Sequence, residues 1–181
     1  MKIVVASDLH GSAYYARKVA DRFAAEEAQL LILLGDIYNH GPRNPLPTDY
    51  APMQVAEILN ALSDRLIAIK GNCDSEVDQM ISEFALTPLA QVFADGYKIT
   101  CTHGHEWNID RLPPNAGDML LYGHFHVNWI RRVGSLVVAN PGSAALPKDG
   151  TPHGYLTIDA GTLALKDLET GETLETVSIG A

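Results

Sequence analysis

The chain has 181 residues, of which 46% are hydrophobic, and a formal net charge of -9 at pH 7. This length and apolar content are typical of one compact domain with a sizeable core, so we predict a single domain over residues 1–181. An acidic chain without a Lys- or Arg-rich run repels phosphodiester backbones, which argues against duplex nucleic acid as a standing partner.

Cysteine usage and the apolar runs indicate the compartment. Cys73 and Cys101 belong to no CxxC pair, so neither a disulfide framework nor a thiolate zinc site is indicated. The opening MKIVVASD is too short in apolar residues for a signal peptide. No stretch approaches the ~18 apolar residues of a membrane span. We therefore expect a soluble, cytoplasmic protein without a membrane partner.

The first half of the chain alternates strands and helices. Residues 2–7 form an apolar, β-branched run, and Ser12 is placed to begin a helix over residues 13–27. Residues 30–34 form the next apolar run. Strand, helix and strand with short joins predict a right-handed parallel βαβ unit.

The second strand is followed by a long irregular loop over residues 37–50, and loops of this length are often functional. Pro52 suits the first turn of a second helix. A third buried strand is predicted at residues 66–69, and a short helix over residues 75–84.

After Pro88 the pattern changes to strands joined by tight turns. We predict a loop with one helical turn over residues 106–118, and an antiparallel meander at the C-terminal end. The predicted strands are 90–94, 97–102, 119–122, two runs that pair around Val133-Gly134, 155–158, 162–168 and 173–179.

Side chains of metal-ligand type follow strand after strand where each predicted strand ends. They are Asp8, His10, Asp36, Asn72, His103, His124 and His126. The carboxyl ends of strands in an α/β sheet share one edge, where ligands bind. Each residue alone has an ordinary alternative, such as a helix N-cap for Asp8. Convergence at five strand ends favours a shared metal site.

Two features of this set indicate its chemistry. His124 and His126 alternate, so their rings point the same way if the preceding strand continues. Four imidazoles, two carboxylates and an amide are too many for one tetrahedral ion and suit two, and donors without thiolate favour Mn, Fe or Zn. Two ions roughly 3.5–4 Å apart hold a hydroxide that attacks a phosphoryl group, which predicts phosphate ester hydrolysis.

The same residues resemble the signature of the calcineurin-like metallophosphoesterase superfamily over Met1 to about Ser143. The small size of the chain and its segments at 39–44 and 71–78 make it most similar to a group of small bacterial phosphodiesterases within that superfamily. The motifs are Asp8-x-His10, Gly35-Asp36, Gly71-Asn72-x-Asp74, His103-Gly104-His105 and Gly123-His124-x-His126.

This resemblance implies a fold, a cofactor and a site. The fold is a single-domain α/β (α+β) four-layer αββα sandwich, and the cofactor is two divalent ions, Mn²⁺ before Fe, Zn or Ni. One ion is held by Asp8, His10 and His126, and the other by Asn72, His103 and His124, with Asp36 as the bridge. Asn72, Asp36 and His103 form the catalytic set. The family analogy also favours a homo-oligomer.

One motif position departs from the family pattern, which is Gly-Asn-His-Asp. Cys73 stands where the His serves the leaving group, and a thiol with a pKa near 8.5 is a poor proton donor. Either metal or water then assists the leaving group, or His40 or Arg43 in the long loop supplies the proton, and the planar fork of Arg suits a phosphate. Cys73 is interpreted as a small buried residue rather than a nucleophile, and all three residues are candidate substrate contacts. Asp74 and His105 lie beside ligands and are expected to orient the metal-bound rings. Residues 140–143 form either a tight turn or a further substrate contact.

The prediction is a metal-dependent phosphodiesterase that acts on a small phosphodiester. Two alternatives remain at this level. One is a phosphomonoesterase of the same fold. The other is a binding scaffold that has the fold without catalysis, although all seven ligand positions are filled here.

Overall fold

The computed structural model describes residues 1–180, which form three α-helices and twelve β-strands. The helices are α1 (Ala13–Ala25), α2 (Pro52–Asn60) and α3 (Glu76–Ile81). The first strands are β1 (Ile3–Ala6), β2 (Leu30–Leu33), β3 (Leu66–Ile69), β4 (Leu86–Thr87), β5 (Leu89–Ala94) and β6 (Tyr97–Thr102). The later strands are β7 (Met119–Leu121), β8 (Asn128–Val133), β9 (Leu136–Pro141), β10 (Gly154–Asp159), β11 (Thr162–Asp167) and β12 (Thr173–Ser178).

The strands form two mixed sheets. The seven-stranded sheet has the order β12-β11-β10-β1-β2-β3-β4, in which β1 to β4 are parallel and β10 to β12 form the predicted antiparallel meander. The five-stranded sheet has the order β5-β6-β7-β9-β8, with β6, β7 and β9 parallel and the two edge strands antiparallel to them.

Alternating side chains of the strands build the layers. In β1, Val4 and Ala6 pack under α1 and α2, whereas Ile3 and Val5 face the five-stranded sheet. The far face of that sheet is covered by half-buried residues such as Ile109, from the loop between β6 and β7. The predicted sandwich is confirmed, and its layer over the five-stranded sheet is a loop. The prediction of one domain over 1–181 includes Ala181, which lies outside the described residues.

Local sequence explains where the helices begin. The Ser12 side chain accepts a hydrogen bond from the backbone N–H of Tyr15 and caps α1 as predicted. Pro52 occupies the first turn of α2, where its missing N–H costs nothing. Within residues 1–180 no helix combines the length and apolarity that crossing a bilayer requires.

Two local predictions are wrong, and one short strand was not predicted. The helix expected over 75–84 is the shorter α3, since the chain after Ile81 turns to enter β4, a two-residue strand that the sequence did not indicate. The helical turn expected within 106–118 is absent there, because Asn108 instead holds a tight turn through hydrogen bonds from the N–H groups of Asp110 and Arg111 to its side-chain oxygen.

Candidate metal centre

The carboxyl ends of strands from both sheets meet at one edge of the sandwich. Asp8 and His10 follow β1, and Asp36 follows β2. The other four candidate ligands are Asn72, which follows β3, His103, which follows β6, and His124 and His126, which follow β7. The two sheets therefore contribute to one cluster.

The first group of ligand atoms comes from Asp8, His10 and His126, whose side chains are buried. The Nε2 atoms of His10 and His126 are 3.0 Å apart. Asp8 Oδ1 lies 3.3 Å from Nε2 of His126 and 3.6 Å from Nε2 of His10. Three ligand atoms this close together are placed to surround one ion.

Hydrogen bonds show which ring nitrogen of each histidine faces the cluster. His10 Nδ1 lies 2.8 Å from the carbonyl oxygen of Asn39, and His126 Nδ1 lies 2.7 Å from that of Leu146. A carbonyl oxygen only accepts, so Nδ1 carries a proton and Nε2 is the nitrogen that can present a lone pair to a cation. Within the described residues the buried Asp8 Oδ1 has no hydrogen-bond partner. Buried acceptors that face one another require a cation between them, so this donor set fits a metal ion.

The second group comes from Asp36, Asn72, His103 and His124. Ligand atoms of Asp36, His103 and His124 lie within 4.8 Å of one another. His103 Nε2 is 3.4 Å from Asp36 Oδ2 and 3.1 Å from Asn72 Oδ1. His103 Nδ1 lies 2.7 Å from the carbonyl oxygen of Leu34, so Nδ1 donates to it and Nε2 is again the nitrogen that faces the cluster.

Asp36 lies between the two groups. Its Oδ2 is 3.4 Å from His103 Nε2 and 3.9 Å from His10 Nε2. Its Oδ1 accepts a 2.8 Å hydrogen bond from the backbone N–H of Cys73. A carboxylate with one oxygen anchored and the other facing both groups has the geometry of a bridge.

The rings of His124 and His126 were expected to point the same way only if the strand continued through them, and this condition is not met. β7 ends at Leu121, and the two residues have φ values of 68° and 62°, which ends the alternation of a strand. His126 joins the first group and His124 the second.

Backbone strain concentrates at this edge. Asp8, His10 and Asp36 also have positive φ values, of 56°, 49° and 51°. Non-glycine residues in the left-handed region cost free energy and cluster at functional sites. Five of the seven candidate ligands share this conformation, which indicates that the surrounding structure imposes it.

Two motif glycines leave room for the carboxylates. A Cβ at Gly71 would lie 2.1 Å from Asp36 Oδ1, and one at Gly123 would lie 1.9 Å from Ser7 Oγ and 2.4 Å from Asp8 Oδ2. Neither distance is sterically allowed, so the glycines permit the close approach of backbone and ligand.

The charges of the cluster shift the ligands' protonation. Burial raises the pKa of Asp8, but the neighbouring His10 and His126 rings outweigh it and hold that pKa well below its ordinary value. Burial lowers the pKa of His103, but its hydrogen bond to Asp36 prevails and raises the pKa to about 9. For His124, burial and the neighbouring His103 lower the pKa, which favours a neutral ring. The carboxylates are thus ionised at neutral pH.

Backbone carbonyls orient the rings, rather than Asp74 or His105. The buried Asp74 carboxylate accepts hydrogen bonds from the backbone N–H groups of Asp36 and Gly71, at 2.9 and 2.8 Å, and of Ile37, at 2.8 Å. It therefore ties the loop after β2 to the loop after β3. His105 is exposed, with its ring centroid 5.4 Å from that of His103.

The three predicted substrate contacts lie in different places. Arg43 and Cys73 line a groove of about 840 Å³ that also includes Asp36 and His126. The His40 ring instead packs edge-on against Tyr50, at 5.3 Å between centroids. Burial raises the pKa of the Cys73 thiol to about 12, so this group is neutral.

Sequence reasoning missed Lys148 and Phe125, which line the same groove. Phe125 stands between two ligands and is 46% exposed, an unusual exposure for such a side chain. Lys148 lies in a loop that carries no sequence motif. A hydrogen bond from its backbone N–H to the carbonyl oxygen of His126 brings it close to the cluster.

The 140–143 segment forms a turn that supports the cluster. The Asn140 side chain donates to the carbonyl oxygen of Gly123 and accepts from the N–H of Gly142. The Ser143 hydroxyl donates to the carbonyl oxygen of Asp8. These contacts hold the loops after β1 and β7 together.

An α/β sandwich with clustered carboxylate and imidazole ligands at shared strand ends defines a metal-binding protein. Residues 1–162 match the description "Calcineurin-like phosphoesterase superfamily domain". The chain belongs to this superfamily, whose members are metal-dependent phosphoesterases.

Individual relatives agree with this assignment. The chain is 43% identical to phosphodiesterase YfcE of Escherichia coli K12, over 99% of this chain and 98% of the relative. The solved structure of E. coli YfcE matches with a TM-score of 0.95 at 41% identity, covering 99% of this chain and 100% of that one. Vps29 of Entamoeba histolytica, solved with Zn²⁺, matches at a TM-score of 0.67 and 21% identity, covering 99% of each chain, and shares the fold.

Proposed function

We propose that the protein is a metal-dependent phosphodiesterase that hydrolyses a small phosphodiester. The observation that carries this proposal is the pair of acceptor groups that face one another, with the buried Asp8 Oδ1 unpaired among the described residues. The relative that is 43% identical over nearly the whole chain is named a phosphodiesterase. A cytoplasmic location, a homo-oligomer and exclusion of duplex nucleic acid stay predictions from the sequence.

The proposed cofactor is two divalent ions. Asp8, His10 and His126 would hold one ion, Asn72, His103 and His124 would hold the other, and Asp36 would contribute to both. Oxygen and imidazole donors without thiolate suit Mn²⁺, with Fe, Zn or Ni as alternatives. Such ions, when bound, activate water as the nucleophile and neutralise charge on the phosphoryl oxygens.

The protein's own groups position the reactants. Asn72 presents Oδ1 to the second group, while its Nδ2, 3.3 Å from Cys73 Sγ, remains a donor for a phosphoryl oxygen. Asn72 is exposed at the mouth of the cluster, where a substrate has access. His103 and Asp36 are proposed to complete the catalytic set, because His103 Nε2 lies 3.1 Å from Asn72 Oδ1 and 3.4 Å from Asp36 Oδ2.

The test is hydrolysis of bis(p-nitrophenyl) phosphate by protein first stripped of metal and then supplied with Mn²⁺. We expect turnover to depend on Mn²⁺ and to fall more than about a hundredfold in His126→Ala and Asp36→Asn, with loss of bound metal measured by mass spectrometry. The control is Lys98→Gln, which removes a positive charge at the start of β6 and should leave turnover unchanged.

Two results would contradict the proposal. Absence of metal-dependent turnover above background would favour a scaffold that only binds partners. Faster hydrolysis of p-nitrophenyl phosphate than of the diester would favour a phosphomonoesterase.

A further inference from the structure

Two grooves meet at Asn72. A groove of about 300 Å³ extends along His103, His105 and Trp107, and the groove of about 840 Å³ described above extends towards Arg43. Asn72 lines both. A phosphoryl group held at the cluster therefore has space on either side for the two ester arms of a diester.

Two cationic side chains line the larger groove, Arg43 and Lys148. Both are exposed, and within residues 1–180 neither has an acidic partner at ion-pair distance. The chain has 13 Lys and Arg against 22 Asp and Glu. The groove therefore presents two unpaired positive charges to a ligand.

The backbone under both cations is held in place. The loop that carries Arg43 is closed by hydrogen bonds from Asn44 Nδ2 to the carbonyl oxygen of His40 and from the Gly41 N–H to Asn39 Oδ1, each 2.8 Å. The Lys148 N–H donates to the carbonyl oxygen of His126 at 2.9 Å, so its loop is fixed to the cluster. Preorganised cations bind an anion at a smaller entropic cost.

Charge balance separates this anion from the reacting phosphate. A phosphodiester carries one negative charge, and the proposed ions at the cluster already neutralise it. The planar fork of Arg and the compact ammonium of Lys together suit a phosphate. A groove of 840 Å³ also lies in the size range of sites for extended small molecules.

We propose that the substrate is a phosphodiester whose larger arm carries a second phosphate, bound between Arg43 and Lys148. This inference rests on the proposed phosphodiesterase activity. The smaller groove, which extends along Trp107, binds the other ester arm of the diester.

The experiment compares two thymidine 5′-(p-nitrophenyl phosphate) esters, one with and one without a 3′-phosphate, on the Mn²⁺-loaded full chain. The leaving group is the same, so the two differ only in the second anion. We expect the 3′-phosphate to lower KM about tenfold with kcat unchanged. In Arg43→Gln and Lys148→Gln this ratio of KM values should fall towards one, whereas Lys98→Gln keeps it.

A binding measurement gives a readout apart from turnover. By calorimetry, thymidine 3′,5′-bisphosphate should bind at least tenfold more tightly than thymidine 5′-monophosphate, and the difference should be lost in both groove variants. Equal affinities together with equal KM values, while bis(p-nitrophenyl) phosphate is still hydrolysed, would overturn this inference alone. No Mn²⁺-dependent turnover of any ester would overturn the proposed function with it.

Discussion

At the scale of single residues, the site is defined by which nitrogen of each histidine ring already makes a hydrogen bond to the backbone. The carbonyl oxygens of Asn39, Leu146 and Leu34 each engage an Nδ1, and this leaves the three Nε2 atoms to face carboxylate and amide oxygens. Such contacts fix both the tautomer and the ring orientation of a metal ligand. Backbone groups therefore perform the orienting task that the sequence assigned to Asp74 and His105.

Cys73 is the residue whose role in catalysis is most directly testable. Burial and nearby carboxylates, first among them Asp36, raise its thiol pKa to about 12, so it is neither a thiolate nucleophile nor an acid of useful strength at pH 7. We expect Cys73→Ala to keep kcat on bis(p-nitrophenyl) phosphate within about threefold, with an unchanged pH profile between pH 6 and 9. Cys101→Ala, at a buried position in the core, is the matched control. A loss above about a hundredfold in Cys73→Ala alone would show that the thiol takes part in the reaction.

At the scale of elements, Glu26 joins the end of α1 to two strands, β10 and β11, and to the residue before β1. Its carboxylate accepts from the Tyr155 hydroxyl at 2.8 Å and pairs with Lys2 at 2.5 Å and with Lys166. Burial raises its pKa, but these contacts outweigh burial and lower the pKa from 4.5 to about 2. The side chain is 12% exposed, so solvent screens it only weakly.

This depressed pKa gives a stability prediction with a definite sign. Because the folded state holds Glu26 ionised, its contribution is complete above pH 4.5 and is lost as pH falls towards 2. We expect Glu26→Gln to lower the free energy of unfolding by about 2 kcal/mol at pH 7, and the difference from wild type to shrink towards zero at pH 2. Urea unfolding at several pH values measures this. Glu169→Gln, which breaks the more exposed pair with Lys18, should cost less than about 1 kcal/mol, and an equal cost in both variants would contradict the argument.

The elements also show what could be predicted from sequence. β1, α1 and β2 follow from apolar runs, helical spacing and the Ser12 cap, because these signals are local. β4 has only two residues and forms by pairing with β3, so no local sequence pattern predicts it. The directions of His124 and His126 depend on two positive φ values, which are imposed by the packing of the loop and not by the alternation of residue types.

At the scale of the whole molecule, the seven candidate ligands could be identified by residue type and strand-end position, since the strand ends of an α/β sheet share an edge. The sequence did not indicate that Asp8 and Asp36 come from one sheet while His103 and His126 come from the other. Lys148 was not identified because its approach to His126 is a long-range contact.

Since the cluster joins the two sheets, metal binding should stabilise the entire sandwich. Ions that bind only the folded state at a hundred times Kd add about 2.7 kcal/mol per site, which for a chain of this size corresponds to a rise in Tm of about 5–10 °C. Calorimetry of metal-stripped protein, before and after addition of Mn²⁺, measures the rise. His126→Ala should show at most half of it. His153→Ala removes a ring that stacks on Tyr15 outside the cluster, so it should lower Tm yet keep the full Mn²⁺-induced rise. If His126→Ala kept the full rise as well, the metal would bind elsewhere on the molecule, and the two sheets would be held together by their apolar core alone.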